Sequence, residues 1–211
     1  MRQLEVLLNG KHIVGSPFAV EVRASAVGTN WVFGSIPTSG DYKLSDGGAV
    51  ATKTKNETFK AAIADGAGCA PMTAGVQYWE LEVVKNDASA HSPGAWWFGV
   101  CRPGIDLDDG MNFYARGDTW LMQQYNAPNW SLMCNTCAGT GMTLDPKPKL
   151  LTGSPIGLLL DLDNGGTLTM YLDSKPCGTI AAGLVGPLLP CIQSTFNGKV
   201  VKIHGGLAPP Q

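Results

Sequence analysis

Two glutamates stand close together in the chain, at Glu80 and Glu82. Side chains two positions apart share one face of a strand, and carboxylates placed in this way serve sandwich-fold glycosidases as acid and as nucleophile or base. No further carboxylate continues the pattern, because Val84 and Lys85 come next. We therefore interpret the pair as solvated residues on the outer face of a strand.

A second acidic pattern begins at Asp161 and Asp163 and runs into Gly165-Gly166, as a calcium loop would begin. The third acidic position of such a loop is a glycine here, and the place of its bidentate glutamate is taken by Leu172. The pattern therefore predicts a turn and no calcium site.

Zinc and hydrolytic chemistry each lack a part of their usual pattern. Cys134 and Cys137 have the spacing of a zinc knuckle, but no second Cys or His pair follows at the distance that a tetrahedral site needs. The histidines are His12, His91 and His204, and no Gly-x-Ser-x-Gly motif is present to pair with any of them. We expect no metal, no cofactor and no catalytic activity.

Composition narrows the class of protein further. The chain has 211 residues, of which 15% are charged, with 27 glycines and 14 prolines, a composition typical of short strands joined by tight turns. Its net charge of −2 is spread along the sequence, so it carries no basic patch for nucleic acid. No apolar run reaches the length of about 20 residues that a membrane helix needs. Without a secretory signal, we expect a cytoplasmic protein with reduced thiols.

Two adjacent segments would have to position these side chains. In residues 75–83, Trp79, Leu81 and Val83 alternate with polar residues, which predicts a strand with one buried and one wet face. Residues 96–102 are nearly all apolar, which predicts a strand covered on both faces.

Other segments also have strand character, and the clearest is a hairpin whose turn is Asp163-Asn-Gly-Gly166. The predicted strands or strand pairs lie at 31–33, 42–50, 52–62, 118–125, 129–134, 156–173, 187–196 and 199–203. This pattern predicts an all-β protein.

Three motifs in order resemble the SPRY domain. They are Gly75-Val-Gln-Tyr-Trp-Glu-Leu-Glu-Val83, then Trp97-Phe-Gly-Val100, then the hairpin that begins Ile156-Gly-Leu-Leu-Leu-Asp161. The resemblance implies a bent antiparallel β-sandwich of the concanavalin-like jelly-roll type over residues 31–205. It also implies a protein-interaction module, often a substrate-recognition arm of a ubiquitin ligase or a scaffold.

The first residues form a separate unit. Residues 1–24 contain two alternating runs around the turn signal Asn9-Gly10, and predict a β-hairpin. The sequence from Asn9 to Val22 resembles the last strands of a filamin-type immunoglobulin repeat. A linker at 25–30 and a tail at 206–211 complete the predicted organisation. Whether the hairpin docks on the sandwich or is the remnant of a trimmed repeat stays open.

Loops at one end of the sandwich carry the candidate binding residues. Aromatic residues and arginine at a rigid rim contribute most to protein interfaces, because they bury a large area at low entropic cost. On this basis two loops are candidates, the first with Met111, Asn112, Phe113, Tyr114 and Arg116, the second with Tyr125 and Trp130. The SPRY resemblance supports the first loop and implies a further contact region at Thr195, Phe196 and Asn197, with a phenylalanine where a tryptophan is common in the family.

Three functions remain to be compared. The first is a monomeric, non-catalytic module within a larger protein that binds a short peptide of a partner. The second is a lectin-like carbohydrate-binding sandwich, and the third is a structural cytoskeletal linker built on the filamin-like hairpin.

Overall fold

The structure is a computed structural model that describes residues 7–8, 11–12, 29–56, 58–85, 96–124, 130–133, 152–153 and 155–210. The strands are β1 Leu7–Leu8, β2 Lys11–His12, β3 Tyr42–Ser45, β4 Val50–Lys53, β5 Ala61–Ile63, β6 Val76–Lys85, β7 Trp96–Cys101, β8 Thr119–Gln124, β9 Trp130–Met133, β10 Pro155–Asp161, β11 Thr167–Leu172, β12 Lys175–Ala181, β13 Leu189–Ser194 and β14 Val200–His204. Within these residues, no helix has the length and apolar character needed to cross a membrane.

One layer is a seven-stranded antiparallel sheet with the order β12-β11-β10-β6-β14-β4-β3. Its central strand β6 shows the predicted alternation: Trp79, Leu81 and Val83 are fully buried, whereas Glu80 and Glu82 are only half-buried. The inner face of this sheet therefore supplies one wall of the core, and its outer face is polar.

The other layer is a five-stranded antiparallel sheet with the order β5-β13-β7-β8-β9. Trp96 stacks on Phe98, and the Lys199 ammonium beside β14 lies 5.0 Å from the centroid of the Trp96 ring. This face therefore packs on the first sheet. Trp97 lies on the opposite, outer face, and it is also buried, as is every residue of β7. The predicted coverage of this strand on both faces is confirmed.

The predicted antiparallel β-sandwich is thus confirmed, with two local differences. Residues 31–33 are not a strand; Phe33 donates its backbone N–H to Gly48, Gly34 donates to Ile63 of β5, and Val32 accepts from Gly66. Strand β12 was not predicted, because Pro176 and Gly178 interrupt its pattern. Both residues are tolerated there because β12 is an edge strand whose pairing with β11 contains two register shifts.

At the N-terminus, β1 and β2 pair with each other on either side of Asn9-Gly10, with Leu7 opposite His12. The second run of the predicted hairpin, 18–22, lies outside the described residues. The boundaries at 24, 30 and 205 stay predictions.

Candidate functional site

Three segments that are distant in sequence meet on the outer face of the five-stranded sheet. They are the loop 54–60, of which residue 57 is outside the described residues, the loop 102–118, and the turn 195–198 that follows β13. The middle loop contains a short 3-10 helix, Phe113–Ala115, and Phe113 donates its backbone N–H to the carbonyl oxygen of Phe59. The turn is linked to the first loop, since Asn197 donates its backbone N–H to Asn56 Oδ1 at 3.0 Å.

An aromatic cluster joins two of these loops to the sheet; we define it as Phe59, Trp97 and Tyr114. The Tyr114 ring stacks on Trp97, with centroids 5.4 Å apart and an interplanar angle of 9°. Phe59 meets both rings edge-on, at 5.3 Å from Tyr114 and 6.0 Å from Trp97. Ring pairs in these geometries contribute beyond their buried area, so the cluster fixes the loops to the rigid sheet.

A polar group lies beneath the cluster. Gln193 of β13 stands opposite Trp97 in the register and is fully buried, and its Oε1 accepts the Tyr114 backbone N–H at 3.0 Å. Among the described residues, neither Gln193 Nε2 nor Trp97 Nε1 has a hydrogen-bond partner. Buried donors without an acceptor are costly, so these two groups reduce the stability of the site, and both are closed off from solvent.

Charged groups hold the shape of the loop 102–118. Arg116 donates from Nε to Asp118 Oδ1 at 3.0 Å and from Nη1 to Asp109. The hydrogen bond to Asp118 leads the causes that raise the pKa of Arg116. The Met111 backbone N–H leads those that lower the pKa of Asp109. The loop is therefore closed by an ion pair at each side of the 3-10 helix.

A further carboxylate ties this loop to the loop that precedes β3. Asp108 accepts the Thr38 backbone N–H at 3.0 Å and the Thr38 hydroxyl at 2.8 Å. These hydrogen bonds, the backbone one first, lower the pKa of Asp108. The loop is thus supported from two directions.

The predicted residues fall into groups with different exposure. Met111 and Asn112 are exposed, Tyr114 and Phe196 are half-buried, and Asn197 is exposed. These five are the predicted contact residues whose side chains solvent reaches. Tyr125 and the side chain of Trp130 lie outside the described residues.

Two of the predicted contact residues, Phe113 and Thr195, have buried side chains. Phe113 is 2% exposed and Thr195 is 5% exposed. Phe113 packs into the core beneath its own loop, and Thr195 directly follows Ser194, the buried last residue of β13. Arg116 is 16% exposed and is occupied by two carboxylates, so its main effect is on loop shape.

Sequence reasoning missed Phe59, Trp97 and Gln193. Trp97 was assigned to a covered strand, which is correct, but its contact with a distant loop is not visible in the strand pattern. Gln193 gave a usable signal, because it is an isolated amide after the apolar residues Leu188–Ile192. The loop 54–60 gave none, since its residues were assigned to the predicted strand segment 52–62.

The other patterns considered from the sequence have simple structural accounts. Asp161 accepts the backbone N–H groups of Asp163 and Asn164, at 3.0 and 2.9 Å, which makes the segment a turn. Cys134 and Cys137 lie outside the described residues. In the part of the chain that the structure describes, no three His, Cys, Asp or Glu residues are arranged to hold a metal ion.

Comparison with known proteins adds evidence on the fold. No protein-family model matches the sequence. The SPRY domain of human HERC1 is similar in structure, with a TM-score of 0.55 and 17% sequence identity over 81% of this chain and 97% of that chain. The PSpry domain of TRIM65 is similar with a TM-score of 0.53 and 19% identity, over 82% of this chain and 91% of that chain. Since its two antiparallel sheets match these domains over most of its length, the chain has the fold of a SPRY domain.

Proposed function

We propose that the chain is a non-catalytic protein-interaction module that binds a short, extended peptide of a partner protein. The contacts come from Met111, Asn112 and Tyr114 on one loop and from Phe196 and Asn197 on the turn after β13. The SPRY fold supports this proposal at the level of the general role.

The observation that carries the proposal is the rigid aromatic cluster, in which the half-buried Tyr114 ring is stacked on the sheet. The cluster is rigid because Tyr114 is held by a ring stack and by a hydrogen bond to a buried side chain. Preorganised aromatic side chains lose little entropy on binding.

The size of the site sets the expected strength of binding. A short peptide on a shallow surface buries less than the roughly 800 Å² per partner of a standard interface. We therefore expect a Kd of about 1–100 μM, since affinity depends on the few well-packed contacts and not on area alone.

Selection from a displayed library of unstructured peptides, followed by calorimetry on the peptides recovered, tests the proposal. Tyr114→Ala and Phe196→Ala should each weaken binding by tenfold or more, about 1.4 kcal/mol or above. Val185→Ala is the matched control: its side chain is exposed and apolar, but it lies beyond the opposite end of β13. Wild-type affinity in both aromatic variants, or an equal loss in the control, would remove this site assignment.

The wider role follows from the same proposal. We propose that the module is monomeric, works in the cytoplasm, and forms the substrate-recognition or scaffolding part of a larger protein. Light scattering on the purified chain checks the monomeric state. A dimer whose interface protects Tyr114 from solvent would replace the peptide with a second copy of the chain.

A further inference from the structure

A buried tyrosine of the seven-stranded sheet reaches two of the segments that form the proposed peptide site. Tyr42 is the first residue of β3, the edge strand of that sheet, and is 4% exposed. Its hydroxyl accepts the backbone N–H of Ser194, the last residue of β13 in the other sheet, at 2.8 Å. The same hydroxyl donates to the backbone carbonyl oxygen of Lys60 at 3.1 Å. One hydroxyl group therefore joins the two sheets to the loop 54–60.

Both partners of this hydroxyl adjoin parts of the proposed site. Lys60 directly follows Phe59, whose ring belongs to the aromatic cluster. Ser194 directly precedes the turn 195–198, which supplies the proposed contact Phe196. The hydroxyl thus connects the loop that carries part of the cluster to the turn that carries a second group of contacts.

A buried lysine is bonded to the same two segments. Lys53, which is 1% exposed, stands opposite Tyr42 in the register, and its ammonium lies 4.6 Å from the centroid of the Tyr42 ring. The ammonium donates to Thr58 Oγ1 at 2.7 Å and pairs with Asp41 at 3.3 Å. The Lys53 carbonyl oxygen accepts the backbone N–H of Gly198 in the turn at 2.9 Å. The loop and the turn are therefore linked through Lys53 as well as through Tyr42.

From these contacts we infer that Tyr42 is a positioning residue of the peptide site, which raises the affinity for peptide by holding the loop 54–60 and the turn 195–198 at a fixed separation. The inference rests on the proposed function, and it gives Tyr42 no contact with the peptide, because the side chain is buried. Segments that are held in place before binding lose less entropy when the peptide arrives. Without the hydroxyl, the buried Ser194 N–H loses its acceptor, which is costly, so the end of β13 must shift.

Tyr42→Phe tests the inference, since it removes the hydroxyl and keeps the ring. Calorimetry with a peptide selected on the wild-type chain should show binding weakened by about threefold to tenfold, the equivalent of one buried hydrogen bond, under conditions where denaturant titration shows both chains folded. In the chain without peptide, two-dimensional NMR should show a shifted Trp97 Nε1–H resonance, because Phe59 moves with the loop and its ring meets Trp97. Thr58→Val cuts the link from Lys53 to the loop and should weaken binding in the same direction.

Tyr78→Phe is the matched control. Tyr78 is 3% exposed and its hydroxyl also makes a hydrogen bond, to Glu80 Oε1 at 2.8 Å, but on β6 and away from both segments. This variant should leave the affinity and the Trp97 resonance unchanged. Wild-type affinity in folded Tyr42→Phe, or an equal loss in Tyr78→Phe, would overturn the inference. If the wild-type chain binds no peptide, the proposed function itself fails. The Trp97 resonance then decides alone: a shift in Tyr42→Phe supports the positioning role, and an unchanged resonance overturns it.

Discussion

The outer faces of the two sheets are covered in different ways. Loops and an aromatic cluster close the outer face of β7, so that Trp97 is as buried as the inward-facing Trp96. On the outer face of β6, Tyr78 is buried, but Glu80 and Glu82 are half-buried and line an open cleft. Both strands are central in their sheets. The difference between them shows that the loops, and not the sheets, decide which surface is apolar and which is polar.

The sequence shows this contrast as a difference in the spacing of apolar residues along the two strands. A strand with one wet face alternates, and a strand with two dry faces does not. The same comparison predicts how each face should respond to substitution, because a covered face can lose packing whereas an open face mainly loses charge.

Phe113→Ala should give the largest effect. The side chain is 2% exposed and fills the space beneath the loop that covers the five-stranded sheet. Truncation of a buried phenylalanine costs about 3–5 kcal/mol, and we expect that loss of unfolding free energy in denaturant titration. Met111→Ala, two residues earlier in the same loop and 51% exposed, should change stability by less than about 0.5 kcal/mol. Similar losses in the two variants would show that the loop does not cover the sheet.

Replacing a glycine by alanine should cost more stability in the five-stranded sheet than in the seven-stranded sheet. A Cβ at Gly99 of β7 would stand 2.0 Å from the backbone oxygen of Trp120, which cannot move without distorting β8. Gly99→Ala should therefore cost about 3 kcal/mol. At Gly157 the added Cβ would stand 2.1 Å from the Tyr78 hydroxyl, so the atoms that must shift belong to a buried side chain and not to the backbone. Gly157→Ala should cost nearer 1 kcal/mol, and a larger loss than for Gly99→Ala would reverse the comparison.

The sequence was sufficient to predict the strands of the sandwich, but not the contacts between its loops and the sheet. The alternation at Trp79 and the apolar run at Trp96–Cys101 were enough to predict a sandwich, because period depends only on which faces are dry. The contact between Tyr114 and Gln193 joins residues 79 positions apart, and no local pattern encodes such a contact. For the same reason the burial of Phe113 and the part played by Phe59 could not be predicted.

Two lysines buried at the junction of the sheets predict a pH dependence. Burial is the leading cause that lowers the pKa of Lys53 and the only one that lowers that of Lys199, each to about 8 from 10.5. Between these values the unfolded chain binds more protons, so stability rises with pH across that window. Burial raises the pKa of Tyr42 and Tyr78 above 10, so stability should fall again once the unfolded tyrosines ionise.

Chemical denaturation at pH 7.5 and at about pH 9.5 measures this dependence, and we expect a gain on the order of 1 kcal/mol at the higher pH. Lys199→Met removes one titrating group without removing the partner of Asp41, which Lys53 supplies at 3.3 Å. It should therefore reduce the slope but not abolish it. A stability that falls steadily from pH 7.5 would contradict the assignment of both lysines.

Glu82→Gln should give the smallest effect on stability. Its ion pair with His204 lies on the open face, where both side chains are more than a third exposed, and such pairs contribute roughly 0–1 kcal/mol. The glutamine oxygen can still accept from the imidazole, so we expect a change within about 0.5 kcal/mol in denaturant titration. A loss as large as that of Phe113→Ala would mean that the acidic cleft stabilises the fold.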